Sequence, residues 1–342
     1  MSATEGCAFV TFLMMNDTFL PGALLQGFEL NKQASRFDRV CLVTEEVSRE
    51  ARSALRRLYK HVVPIEKIYV PHRRRQGRQD RPYLLTRLQA LRLGPDGDLG
   101  LRYRKIVLLD ADVLPLKRFD QLFLLPTPAG IPNESKAHFV TDDGRGRFVR
   151  PRDVEINGRW IWHEIYHHIC HGERIPRHVT DRVAADPKNL GINAALLVLE
   201  PSLSEYQEIM RDIERPSIRR LLGEAFDWPD MQYLTMRWSG RWVNIDLSFN
   251  GLCGYPSLSV LCGTHYAGLK PWDHKRADAF GHHRRYPDFR YWHRRFLEMM
   301  SEYPGFRGVR RLVRLSDAIG PGRQSTPRKS ANTDTGSATS SQ

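Results

Sequence analysis

The 342-residue sequence has no hydrophobic run long enough to cross a membrane. Its longest largely apolar stretch, Ile192–Leu199, is strand-sized, far short of the ~20 residues a spanning helix needs. The opening Met1-Ser2-Ala3-Thr4-Glu5-Gly6 lacks a basic region, and Asn16 and Asp17 interrupt the apolar stretch that follows, so no secretory signal is expected. Cysteine is scarce: Cys7, Cys41, Cys170, Cys253 and Cys262 are odd in number and scattered, with no Cys-x-x-Cys pair. That pattern argues against a disulfide framework or a cysteine zinc site and fits a reducing, cytoplasmic setting. Internal repeats are absent as well.

Apolar residues make up 41% of the chain and aromatics 10%, enough for a sizeable core. The net charge of +13 favours acidic partners such as phosphorylated ligands or anionic lipid. Ala8–Met14, Arg39–Thr44, His61–Val70 and Arg104–Leu109 read as buried strands, with Gly191–Glu200 following later. Between them lie helical patterns: one after Asn16 or Asp17 as cap with Leu20, Leu24, Leu25 and Phe28 on its apolar face, one over Arg49–Tyr59, and one over Pro82–Leu93. This alternation predicts an α/β fold with a mostly parallel central sheet, whose ligands bind beyond the carboxyl ends of the strands. Trp242–Phe249 and Leu258–His265 read as further short strands, and Ser204–Glu214 as a helix. Residues 126–188 read as an elaboration of the 1–300 domain, 301–319 as a basic amphipathic segment, and 320–342 as a disordered tail.

Two clusters carry candidate chemistry. Asp110-Ala111-Asp112 follows the strand Arg104–Leu109, and carboxylates at i and i+2 of a strand end point the same way. Two hard oxygen ligands suit Mg²⁺ or Mn²⁺, although Asp-x-Asp is also common as a solvated turn. His265-Tyr-Ala-Gly268-Leu-Lys270-Pro-Trp272 offers an imidazole, a glycine permitting close backbone approach, and a lysine for phosphate.

With Phe9-Val10-Thr11…Asn16-Asp17, Gly22-Ala23-Leu24, Leu85-Thr86-Arg87-Leu88 and Asn193-Ala194-Ala195…Pro201, these clusters form an ordered set. The set resembles the glycogenin-like glycosyltransferases, family 8 of the retaining enzymes, whose fold is GT-A (a Rossmann-like nucleotide-diphospho-sugar transferase). The resemblance implies a hexosyl, glucose-like transfer from a UDP-sugar to an acceptor with Mn²⁺, or Mg²⁺ in its place. Asp110, Asp112 and His265 would hold the metal. Gly268 and Lys270 would contact the phosphates, and Val10, Thr11, Asn16, Arg87 and Ala111 would line the rest of the nucleotide site. Asn193, Asp230 and Arg87 would serve the transfer itself. A homodimer is compatible with this family.

Three positions differ from the family pattern: Arg87 stands for a lysine, Met231 for a glutamine, and Ala195 for a glycine whose place its methyl would narrow. They motivate an alternative, a relative that binds nucleotide-sugar or glycan without turnover. A second alternative is a zinc hydrolase built on His163-Glu164-x-x-His167, since i and i+4 imidazoles share a helix face. Nothing resembles a nucleic-acid-binding fold. Phe306, Val309, Leu312 and Val313 recur at helical spacing among arginines, a pattern that allows peripheral membrane contact.

Overall fold

The computed structural model describes residues 6–72, 79–132, 141–142, 148–149, 169–255, 257–273 and 283–320. The His163–His167 motif, most of the helical patch around it and the tail beyond residue 320 lie outside these residues. In chain order the strands are β1 (Cys7–Leu13), β2 (Asp38–Val43), β3 (His61–Pro64), β4 (Lys105–Leu109), β5 (Val113–Pro115), β6 (Ala129–Pro132), β7 (Thr141–Asp142), β8 (Phe148–Val149), β9 (Ile192–Leu199), β10 (Val243–Asn244), β11 (Gly251–Leu252) and β12 (Gly263–His265). Seven form the main sheet in the order β10-β6-β9-β4-β1-β2-β3.

Pairing is parallel for β1 with β2 and β4, β2 with β3, and β6 with β10, while β9 runs antiparallel to both β4 and β6. This largely parallel sheet with one reversed central strand is the α/β architecture that the alternation of strands and helices predicts. The strands are continuously apolar because helices and loops cover both faces: Ile106, Val107, Leu108 and Leu109 are all fully buried. A second sheet, β11-β12-β5, stands at the end of β4, with β12 antiparallel to β5 and His265 opposite Val113.

The helix Leu20–Lys32 departs from the amphipathic expectation, since every residue from Leu20 to Leu30 is buried. A helix enclosed on all sides needs no polar stripe. One side lies on β1 and β5; the helices Arg49–Leu55 and Pro287–Glu302 pack against the rest. Neither Asn16 nor Asp17 caps it. Asn16 Oδ1 accepts from Thr18 N at 2.8 Å and Asp17 Oδ1 accepts from Ser48 N at 3.0 Å, so an extra turn precedes the helix. Pro21 sits in the first helical turn, where a missing N–H costs nothing.

The C-terminal segment also differs from expectation. Phe306 and Leu312 are fully buried and Val309 nearly so, in one apolar cluster with Leu24, Leu25, Phe28, Trp292 and Phe296. The apolar face available to a membrane in the sequence is therefore already covered by the protein's own core, and 301–319 is part of the body. Glu29 accepts a paired ion bond from Arg295, Nε to Oε1 at 2.5 Å and Nη2 to Oε2 at 3.2 Å, joining the first helix to the late one. No helix among the described residues is long and apolar enough to cross a membrane.

Two outcomes follow from this packing. Leu312→Ala should cost about 2–5 kcal/mol in urea unfolding, the range for emptying a leucine site in a core; an unchanged midpoint would mean that the C-terminal helix is not part of the body. Burial holds the His293 imidazole down to about 4, against its hydrogen bond to Pro271 O at 2.8 Å. The unfolded ring protonates near pH 6.5. Its contribution is thus present above that pH and is lost as pH falls toward 4. The loss of stability between pH 7 and 5 should be smaller in His293→Gln.

Candidate active site

The acidic turn begins where β4 ends. Asp110 N donates to Ala195 O on β9 at 2.9 Å, and Val113 N donates back to Asp110 O at 3.0 Å, closing the turn before β5. β5 then pairs with β12, and Tyr266 N donates to Asp112 O at 2.9 Å. These bonds carry His265 to the acidic turn from 153 residues away in the chain: its Nε2 lies 3.6 Å from Asp112 Oδ1. Gly268 takes φ +79°, a left-handed turn that folds the chain back. Lys270 Nζ consequently reaches Asp112 Oδ2 at 2.5 Å and Tyr266 O at 2.6 Å. Burial opposes the charge on Asp112, but Lys270 and His265 outweigh it and hold this carboxyl well below the usual carboxylate range.

Arg87 organises the opposite wall. It is buried on the 3₁₀ helix Arg81–Leu93, and its guanidinium joins two carboxylates, Nη1 to Asp110 Oδ1 at 3.0 Å and Nε to Asp230 Oδ2 at 2.9 Å. It also donates to Ala194 O and lies 5.2 Å from the centre of the Phe12 ring. A planar fork can make these contacts together where an ammonium cannot. Burial pushes the Asp110 carboxyl up, with Arg87 pulling the other way. The Asp110 amide continues the β4–β9 ladder to Ala195 O, and the Ala194 carbonyl meets Arg87 where the β6–β9 register shifts between Gly130 and Ile131, a bulge beside the site.

The donor set suits a hard divalent cation. Asp112 Oδ1 is buried without a hydrogen-bond partner and lies beside an imidazole nitrogen, while Asp110 Oδ1 is ion-paired with Arg87. Two carboxylate oxygens and one nitrogen match Mn²⁺ or Mg²⁺ better than a thiophilic metal. Among the described residues no three such side chains stand in a closed ligating group. In this structure Lys270 and Arg87 hold the carboxylates instead.

The remaining candidates are placed as follows. Asp230, 2% exposed in the first turn of the helix Pro229–Arg237, meets Arg87 through one oxygen, and its Oδ1 has no hydrogen-bond partner. Asn193 is buried and its Oδ1 accepts from Ala195 N at 2.9 Å, shaping the bulge. Val10 lies in the apolar core, and Thr11 Oγ1 donates to Leu109 O at 2.8 Å, so both side chains are engaged within the sheet. Asn16 is exposed. Ala195 is buried, in the apolar cluster that also holds Phe9, Leu109 and Val113. Gln232 faces away, its Nε2 donating to Asn189 O at 2.9 Å and its Oε1 accepting from Trp228 N at 2.7 Å. Two residues escaped the sequence reading, Phe12 and Gln26. A polar residue inside an otherwise apolar helix was the available signal for Gln26.

The chain is 28% identical over 282 residues to an uncharacterized protein, R707, of Acanthamoeba polyphaga mimivirus, covering 79% of this chain and 84% of that one. It is 32% identical over 127 residues to the glycogenin of Neurospora crassa, covering 37% of this chain but 18% of the glycogenin. With galactinol synthase 4 of Arabidopsis thaliana it shares 25% identity over 283 residues, 80% of this chain and 75% of that protein. By these similarities the chain resembles the glycogenin-like family 8 glycosyltransferases. Among solved structures, the glycosyltransferase GlyE of Streptococcus pneumoniae TIGR4 superposes with a TM-score of 0.49 at 12% identity, covering 87% of this chain and 63% of that one. No family model matches the chain.

In this chain Arg87 neutralises two carboxylates at once. Arg87→Met should cost about 3–5 kcal/mol in urea unfolding, because it leaves buried charges unpaired. Arg87→Lys should recover part of that loss. A cost near zero for Arg87→Met would show that the clamp does not hold the site together.

Proposed function

We propose that the protein transfers a hexosyl, glucose-like group from a UDP-sugar to an acceptor oxygen, with retention of configuration and with Mn²⁺ as the resident metal. The observation that carries this reading is the meeting of Asp112, His265 and Lys270 at the carboxyl end of β4, beside the Arg87-linked pair Asp110 and Asp230. Asp110, Asp112 and His265 would hold the metal, which when bound neutralises charge on the diphosphate.

In the reaction the bond between the anomeric carbon and the β-phosphate oxygen breaks, and its electron pair stays on UDP. The acceptor oxygen bonds to the carbon from the same face and its proton passes to the departing phosphate. The ammonium of Lys270 is positioned to stabilise charge as it builds on the leaving phosphate, an electrostatic contribution of the kind that dominates many enzymes. To do so it exchanges Asp112 Oδ2 for a phosphate oxygen while its bond to Tyr266 O keeps it in place. Asp230 has one oxygen committed to Arg87, and its Oδ1 is assigned to donor-sugar hydroxyls rather than to attack on carbon. Arg87 orients both acids and touches substrate through neither of them.

The test is UDP release from a panel of UDP-sugars with Mn²⁺. Asp112→Asn and Lys270→Ala should each lower kcat/KM by roughly 100-fold or more. The product from an α-linked donor should be α-linked by NMR. Absence of UDP release with every donor and acceptor tried, despite tight UDP-sugar binding, would favour a binding protein over an enzyme; a β-linked product would refute retention.

A further inference from the structure

Gln26 lies in the middle of the helix Leu20–Lys32, 1% exposed. Its side-chain amide donates two hydrogen bonds, both 2.8 Å from Nε2, to Asp110 O and Val113 O. Those carbonyls bracket the acidic turn. The Asp112 carbonyl between them is taken by Tyr266 N, so the back of the turn is anchored from two sides. One helical turn before Gln26, on the same face, Gly22 lets the backbone come so close that a Cβ there would fall 2.2 Å from Ala111 O. Gly22 and Gln26 together press this helix against the main-chain side of residues 110–113, and the Asp110 and Asp112 side chains engage Arg87, Lys270 and His265.

We propose that Gln26 is a positioning residue that sets the affinity of the acidic turn for a divalent cation and, through it, for a diphosphate. This rests on the reading of Asp110 and Asp112 as metal ligands. One amide group spanning both ends of a four-residue turn fixes the separation of the ends, and hence the direction of the two side chains. Without it both carbonyls lose a donor inside the protein, and the turn is free to rotate toward other partners. Groups that orient metal ligands in this way alter metal affinity by 10–100-fold. Tyr59 supplies the internal comparison. Its hydroxyl donates to Ala23 O at 2.6 Å in the same helix and, at 3.5 Å, to Gln26 Oε1, with no bond to the acidic turn.

The experiment titrates Mn²⁺ into the full-length protein and follows the electron paramagnetic resonance signal of free Mn²⁺, with no turnover required. Gln26→Met keeps the side-chain length and removes both donors; it should weaken Mn²⁺ binding by about 10–100-fold and raise KM for the UDP-sugar. Tyr59→Phe, which removes the bonds to Ala23 O and Gln26 Oε1 but keeps both Gln26 donors to the turn, should leave both unchanged. If Gln26→Met does not fold, Gln26→Leu serves in its place. A folded Gln26 variant that binds Mn²⁺ as the native protein does, while Asp112→Asn does not, overturns the role of Gln26 and leaves the ligand assignment standing. Equal weakening in Tyr59→Phe overturns it too, as general loosening. Failure of the native protein to bind Mn²⁺ overturns the ligand assignment and this inference with it.

Discussion

The pairing of β12 with β5 is the constraint on which the site depends. Three residues of antiparallel ladder bring the segment after Gly263 against the strand that follows the acidic turn. The register is what matters: with His265 opposite Val113, the imidazole falls beside Asp112, and the left-handed turn at Gly268 returns Lys270 to the same carboxylate. A slip of one residue would turn the imidazole to the opposite face of the small sheet. The ladder is short, so its register is held by its surroundings. Leu116 N and Lys117 N both donate to Cys262 O, and Cys253 N donates to His265 O.

The site is also a problem in burial. Asp112 and Asp230 are almost wholly enclosed, and Asp110 largely so, each near another charge of the same sign. Carboxylates this close survive in a low-dielectric interior only with counter-charges at hand. Arg87 and Lys270 supply them. The arrangement accounts for an arginine at position 87: the carboxylates and the Ala194 carbonyl lie around one plane, which a guanidinium meets and an ammonium does not. The bulge between β6 and β9 lies at the same place, where the Ala194 carbonyl accepts from Arg87.

Local pattern made much of this fold legible. Uninterrupted apolar runs marked β1, β2, β4 and β9 to within a residue or so, since strands buried on both faces admit few polar residues. Elsewhere pattern was a weaker guide. His61–Val70 is a strand only through Pro64, and the Trp242–Phe249 stretch divides into the two-residue β10 and a 3₁₀ turn, because runs of mixed polarity are shaped by what covers them. The amphipathic spacing around Leu312 marked an apolar face but could not say what covers it. That face belongs to the apolar cluster that also holds Leu24, Leu25, Phe28 and Phe306.

By itself the sequence determined the run of core strands, the acidic pair at the end of β4, and the His-Gly-Lys cluster that follows a late strand. These are local matters of side-chain type and spacing. Tertiary structure alone decided that β9 runs backward, that Arg87 links two acids, and that Gln26 grips the acidic turn from behind. Each of these depends on contacts between segments tens to hundreds of residues apart. Short-range periodicity carries no record of which partner a polar group will meet once water is excluded.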